Sequence, residues 1–278
     1  SGSILVWTRS STSTAWSSVT PVKLVDPDGD ANDYLGRGGV TLSADSLTLV
    51  AASYADADKG SDSGSILVWT RASTSTAWSS VTPVKLVDPD GAADDYLGFG
   101  GVTLSADGLT LAAASYGDDD KGSDSGSILV WTRSSTSTAW SSVTPVKLVD
   151  PDGATYDTLG YGGVTLSADG LTLVAASYGD DDKGSDSGSI LVWTRSSTST
   201  AWSSVTPVKL VDPDGAAFDY LGYGGVTLSA DGLTLVAASY GDDDKGSSSG
   251  SILVWTRSST STAWSSVTPV KLVDPDGA

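Results

Sequence analysis

Short runs in which apolar and polar residues alternate recur along the whole chain, always in the same order. Near the C-terminus, Val226-Thr227-Leu228-Ser229 alternates, Asp231-Gly232 marks a tight turn and Leu233-Thr234-Leu235-Val236 alternates again, which predicts a β-hairpin. An Asp/Gly/Ser-rich loop from Tyr240 to Gly250 leads into Ser251-Ile252-Leu253-Val254-Trp255-Thr256-Arg257, followed by a Ser/Thr-rich loop and by Pro269-Val270-Lys271-Leu272-Val273-Asp274. Each such unit supplies four short strands. Ile252 and Val254 face one side of their strand and Leu253 and Trp255 the other, so both faces are apolar and both require cover. Helices are not expected, because no window of ten or more residues holds a 3.6-residue period and Gly, Pro, Thr and Val interrupt every candidate.

The unit recurs with a 62-residue period: Ser1 to Arg9 returns as Ser63 to Arg71, Ser125 to Arg133, Ser187 to Arg195 and Ser249 to Arg257. The 278 residues read as a single repeat domain, 1–278, with a half unit at 1–30 and full units at approximately 31–92, 93–154, 155–216 and 217–278. A unit that cannot bury two apolar faces alone must bury them against its neighbours. The expected fold is all-β, built of tandem four-stranded antiparallel blades, one to each 62-residue unit, and β-propeller-like, with the small-residue run Val236-Ala237-Ala238-Ser239 as the inner strand near the axis. Trp7, Trp69, Trp131, Trp193 and Trp255 recur at one phase of the repeat and are expected to pack between blades rather than to form a sugar-stacking platform.

The phase of the chain adds an expectation. It opens on the third and fourth strands of a unit, and a closed ring of five 62-residue blades would need half a blade more than the chain contains. An unfinished half-blade exposes a strand edge, which invites self-association or another protein partner, and head-to-tail contacts of this kind propagate. The start at Ser1, without methionine, suggests a processed product or a window of a longer array. The first full unit is the least regular, with Arg37 where later units have Phe99, Tyr161 and Tyr223, as expected of a terminal repeat.

Charge narrows the partners. All 34 acidic residues are Asp, against 15 Lys and Arg, for a net charge of −19 that repels nucleic acid and anionic lipid, and no apolar stretch is long enough to enter a bilayer. Two acidic loops per repeat offer hard oxygens of the kind Ca²⁺ prefers: Asp150, Asp152 and Asp157 for one and Asp180, Asp181 and Asp182 for the other, and one period later Asp212, Asp214 and Asp219 with Asp242, Asp243 and Asp244. The alternative is that Asp-Pro-Asp-Gly is a turn and the Asp run is solvated. Lys147 and Lys209 sit mid-strand and are expected to face water on a sheet edge. The cluster from Ser196 to Thr206 reads either as a flexible outer loop or as a carrier of O-linked glycans. With no His, Cys or Glu, and with near-identical units, no catalytic constellation is found and no enzyme is expected.

The stretch from Asp219-Tyr220-Leu221-Gly222-Tyr223-Gly224-Gly225 through Val226–Ser239 to Tyr240-Gly241-Asp242-Asp243, with Ser249 to Trp255 after it, resembles the FG-GAP repeat, the blade motif of integrin-α-type propellers. Leu221-Gly222 stands where the family has Phe-Gly, Ala238-Ser239-Tyr240 where it has Gly-Ala-Pro, and only Ser229-Ala230-Asp231-Gly232 remains of its calcium loop. The resemblance implies an extracellular or cell-surface setting. The expected function is a non-enzymatic structural or adhesive scaffold, a segment of a self-assembling filament, with a calcium-dependent ligand-binding propeller module as the alternative.

Overall fold

The computed structural model describes residues 1–276. The last two residues of the fourth full unit lie outside them. The chain opens with a two-stranded half-blade, β1 (Ile4–Val6) and β2 (Val22–Leu24). Four antiparallel meanders follow: β3 (Val40–Leu42) to β6 (Val84–Leu86) through β4 (Thr48–Ser53) and β5 (Ser65–Thr70), and β7 (Val102–Leu104) to β10 (Val146–Leu148) through β8 (Thr110–Ser115) and β9 (Ser127–Thr132). The third blade runs β11 (Val164–Leu166), β12 (Thr172–Ser177), β13 (Ser189–Thr194) and β14 (Val208–Leu210), and the fourth β15 (Leu221–Leu228), β16 (Thr234–Ser239), β17 (Ser251–Thr256) and β18 (Val270–Val273). The expected architecture is therefore present, and each four-stranded sheet lies within one repeat unit.

Register follows from the two-residue period. Leu173 pairs with Trp193 and Ala175 with Leu191 on one face, while Val174 pairs with Val192 and Ala176 with Ile190 on the other. Blades stack face to face. Val174, Ala176, Ile190, Val192 and Leu210 of the third blade share one cluster with Leu235, Ala237, Leu253, Trp255 and Trp264 of the fourth. The same junction recurs between the first and second blades and between the second and third. The half-blade contributes Ile4 and Leu24 against Leu49, Leu67, Trp69 and Trp78 of the first blade. Each large side chain taken out of water in these junctions contributes roughly 1.5–3 kcal/mol, so the core is the sum of the junctions. Trp69, Trp131, Trp193 and Trp255 are buried in them, whereas Trp7 is 45% exposed, on a side of the half-blade that no blade covers among the described residues.

The axis corrects one expectation. The small-residue run forms the second strand of each blade, not the innermost, and β3, β7, β11 and β15 are the strands that contact one another in succession. What lets them converge is the glycine pair that precedes β7 and β11: a Cβ on Gly162 would stand 1.9 Å from the carbonyl oxygen of Gly222, and one on Gly100 2.0 Å from that of Gly160. The Ala-rich second strands are needed one step further out, where Ala112, Ala114, Ala175 and Ala176 have no exposed surface. The Ser/Thr loop carries a short regular element of its own. It closes on a 3₁₀ turn at Trp202–Ser204, whose tryptophan is buried beneath the Arg195 guanidinium, 4.6 Å from the ring centroid.

Candidate functional site

The blade stack brings an acidic loop of one blade against an acidic loop of the next. Asp180 and Asp182 lie in the loop after β12, and Asp150 and Asp152 in the loop that leaves β10 of the preceding blade. Between them, from mid-strand on β14, comes Lys209: its Nζ stands 2.9 Å from Asp150, 2.8 Å from Asp152, 2.5 Å from Asp180 and 3.5 Å from Asp182. Lys271 holds Asp212, Asp214, Asp242 and Asp244 in the same way. Lys147 does so with Asp88, Asp90, Asp118 and Asp120, and Lys85 with Asp26, Asp28, Asp56 and Asp58. Lys147 and Lys209 thus depart from the expected water-facing edge. The outer strand delivers them into a carboxylate cradle at the blade junction, where their side chains are under one-fifth exposed.

The remaining aspartates are placed by backbone amides. Asp157 accepts the Ala154 N–H at 2.7 Å, and Asp219 accepts that of Ala216 at 2.7 Å. Asp181 accepts the Asp186 N–H and Asp243 the Ser248 N–H, so these two cap their own loops outside the cradle. One carboxylate oxygen each from Asp150, Asp157 and Asp180 lie within 4.8 Å of one another, as do those of Asp212, Asp219 and Asp242. Asp180 also accepts from the Ser189 hydroxyl at 2.9 Å, which fixes its rotamer.

Four carboxylates around one ammonium carry excess negative charge, and the proton affinities divide accordingly. Burial, helped by the hydrogen bond with Asp152 and opposed by Lys209, pushes Asp150 up to about 7, while Asp152 is held well below the usual carboxylate range by Asp150 and then by Lys209. Asp88 and Asp212 are likewise pushed up to about 7 by burial, and Asp157 to about 6. Burial alone would lower Lys209, but its hydrogen bonds to Asp152, Asp180 and Asp150 outweigh that and raise it above the ordinary lysine value.

The cradle bears on the calcium expectation. Its donors are the oxygens Ca²⁺ prefers, but the point on which four of them converge is filled by an ammonium covalently tethered to the strand.

A second feature escaped the reading of the sequence. Arg37, Phe99, Tyr161 and Tyr223 line an open depression at the axis beside the glycine pairs. Phe99 to Tyr161 and Tyr161 to Tyr223 are each 5.4 Å between ring centroids, and Tyr54, Tyr116 and Tyr178 close edge-on against this row at 5.2, 5.1 and 4.9 Å. Arg37 continues the row, with its guanidinium 5.1 Å from the Tyr54 ring and hydrogen-bonded to the Tyr54 hydroxyl. The signal was present as rings recurring once per unit, but only stacking of blades turns it into a continuous surface.

The FG-GAP repeat family model matches residues 140–193 and 202–255, so the chain carries FG-GAP repeats over those two segments. A search of curated proteins finds no match. Among solved structures, the chain is similar to the Pseudomonas aeruginosa periplasmic gluconolactonase PpgL, at 17% identity and a TM-score of 0.51 over 99% of this chain and 69% of that one. It is also similar to Chaetomium thermophilum Sqt1, solved bound to the N-terminus of ribosomal protein L10, at 15% identity and a TM-score of 0.54 over 98% of this chain and 56% of that one. The chain thus spans little more than half of Sqt1, and at these identities the likeness is one of fold.

Proposed function

We propose that this chain is a non-enzymatic structural or adhesive repeat scaffold that works outside the cell, as a segment of a self-assembling filament. The observation that carries the reading is how completely each unit directs its charged and aromatic side chains at the neighbouring unit. Four lysines bind aspartates of the preceding blade, and Arg133, Arg195 and Arg257 reach threonines of the preceding blade. Chemistry aimed at neighbours builds an array, and near-identical units leave no unique nucleophile, base and oxyanion pocket. FG-GAP repeats are typical of extracellular proteins, which supports the location. Exposed hydroxyls in the outer loops, such as Ser196, offer attachment points for O-linked glycans. Electron microscopy of concentrated protein tests the scaffold, with fibres expected and isolated particles counting against it. Labelling of intact cells with an antibody tests the location.

The calcium-dependent module is the second reading, and it requires Ca²⁺ to displace the cradle lysines. Calorimetric titration with Ca²⁺, alongside melting with and without chelator, separates the two. We expect no heat and no melting shift; a saturable heat with a rise in melting temperature would favour the metal.

A further inference from the structure

Apart from the acidic cradle, each junction between full blades holds a cluster of hydrogen-bond donors around a cavity. Between the third and fourth blades two adjoining cavities, of about 410 and 230 Å³, share Thr194, Arg257, Thr260 and Ser261 on their walls. The larger is also lined by Arg195 and Thr172, the smaller by Trp264. One period earlier a cavity of about 390 Å³ has the equivalent wall, with Arg133 and Arg195, and one of about 340 Å³ recurs a period before that, with Arg71 and Arg133. The cavity is therefore a property of the repeat and not of one irregular loop.

Its arginines are charges without a counter-ion in contact. Arg133, Arg195 and Arg257 are buried, and none has a carboxylate within ion-pair distance among the described residues. Asp107 and Asp169 act on Arg195 only at longer range, and each already accepts from a serine hydroxyl and a backbone amide of its own turn. Arg257 donates through Nε to the Gly232 carbonyl at 2.9 Å, through Nη1 to that of Thr260 at 3.2 Å and through Nη2 to the Thr172 hydroxyl at 3.1 Å. A guanidinium carries more N–H groups than these three bonds use.

Beneath each guanidinium lies an indole whose N–H is also unused. Trp140, Trp202 and Trp264 are 2% exposed with the arginine 4.6 Å from the ring centroid, and the Nε1 of all three is buried without an acceptor among the described residues. A buried donor without a partner is costly to fold around, and here the same donor is left so at three successive junctions. What each lacks is an acceptor, and Trp264 stands on the wall of a cavity with room for one.

The wall names the class of ligand. In the cavities between the second and third and between the third and fourth blades every charged lining residue is an arginine, and the other polar side chains are threonine and serine. A cation is disfavoured by that charge and a neutral sugar would leave it uncompensated, whereas a tetrahedral oxyanion brings both the negative charge and several acceptor oxygens. We propose that each of the three junctions between full blades binds a sulfate or phosphate group. The unused N–H groups of Arg133, Arg195 or Arg257, the indole N–H of Trp140, Trp202 or Trp264 and the hydroxyls of the wall hold it. Asp45 joins the wall at the first of these junctions, so the site there is expected to be the weakest. The net charge of −19 opposes the approach of an anion at long range, but physiological salt screens charges beyond about 8 Å and leaves the adjacent guanidiniums to decide. The site lies within one chain and is independent of whether copies assemble.

Nuclear magnetic resonance of the full chain, with isotope-labelled indole nitrogens, tests this by titration with sodium sulfate at an ionic strength held constant with sodium chloride. The indole signals of Trp140, Trp202 and Trp264 are expected to shift saturably, while that of Trp16, which is 53% exposed, stays in place. The variants Trp140→Phe, Trp202→Phe and Trp264→Phe assign the signals. Each keeps an aromatic ring under its arginine and loses the N–H, and in calorimetry each is expected to weaken one site about tenfold or more. The titration itself reads wild-type protein, so the three moving signals can be counted even if a variant fails to fold. Inorganic phosphate and a glucose sulfate ester distinguish the sources: tighter binding of the ester assigns the sulfate of a glycan, tighter binding of the inorganic ions a free anion, and both support the site. No saturable shift with any of the three probes, or a Trp16 shift as large as the others, would overturn it. Glucose binding as tightly as its sulfate ester would overturn the assignment to an anion.

Discussion

At Lys209 a single ammonium faces four aspartates, so the fate of each proton there decides how stability varies with pH. Asp150, raised to about 7, binds its proton more tightly in the folded than in the unfolded chain. Between its ordinary value and 7 the folded state holds the extra proton, so stability falls as pH rises through that window. Asp152, held below its ordinary value, acts oppositely: its contribution is present above the ordinary carboxylate range and lost as pH drops beneath it. Melting temperature should therefore rise on acidification from about pH 8 to about pH 5 and fall below about pH 4. Asp150→Asn should be more stable than wild type at the alkaline end and lose part of the slope, which scanning calorimetry across pH would reveal; an unchanged slope would show that Asp150 does not titrate there. Lys209→Met should cost about 3–5 kcal/mol in urea unfolding near neutrality, because it strands buried carboxylates. That cost should shrink in acid, where Asp150 can protonate.

Within an element, what matters is how close the neighbouring strand comes. Gly162 and Gly224 occupy the same repeat position in consecutive blades, just before β11 and within β15, but a Cβ on Gly162 meets the Gly222 carbonyl oxygen at 1.9 Å while one on Gly224 meets only the Ala238 methyl at 3.5 Å. Gly162→Ala should therefore destabilise by about 3 kcal/mol or more and Gly224→Ala stay within about 0.5 kcal/mol, measured by urea midpoints. Equal effects would mean that the convergence at the axis is not the constraint. The strands themselves were legible, since Ser251 to Arg257 alternates on two apolar faces and such a strand must be stacked on both sides. The lysine cradle was not. Lys209 meets Asp180 from the far side of β13 and Asp150 from almost a whole unit earlier in the chain, and those separations are bridged by blade stacking, about which a polar residue in the middle of a strand says nothing locally. The small-residue strand was recognised but placed one position too far inward, because tight packing between blades and tight packing at the axis both select alanine and glycine.

Among the described residues the packed junctions run from each blade to the next, and stability in such a stack is a sum of local terms. β13 is covered on both faces, with Ile190 and Leu191 inaccessible to solvent, whereas β17 buries Leu253 and leaves Ile252 at 44%. The two strands share their sequence from Ser to Arg, so any difference in their opening comes from the missing neighbour and not from propensity. Native-state hydrogen exchange should find the β17 amides of Ile252 to Val254 exchanging about tenfold or more faster than those of Ile190 to Val192, with β1 faster again because its blade has only two strands. Uniform protection of β13 and β17 in dilute monomer would mean that the outward faces are already covered within one chain, and the linear account of the stack would fail.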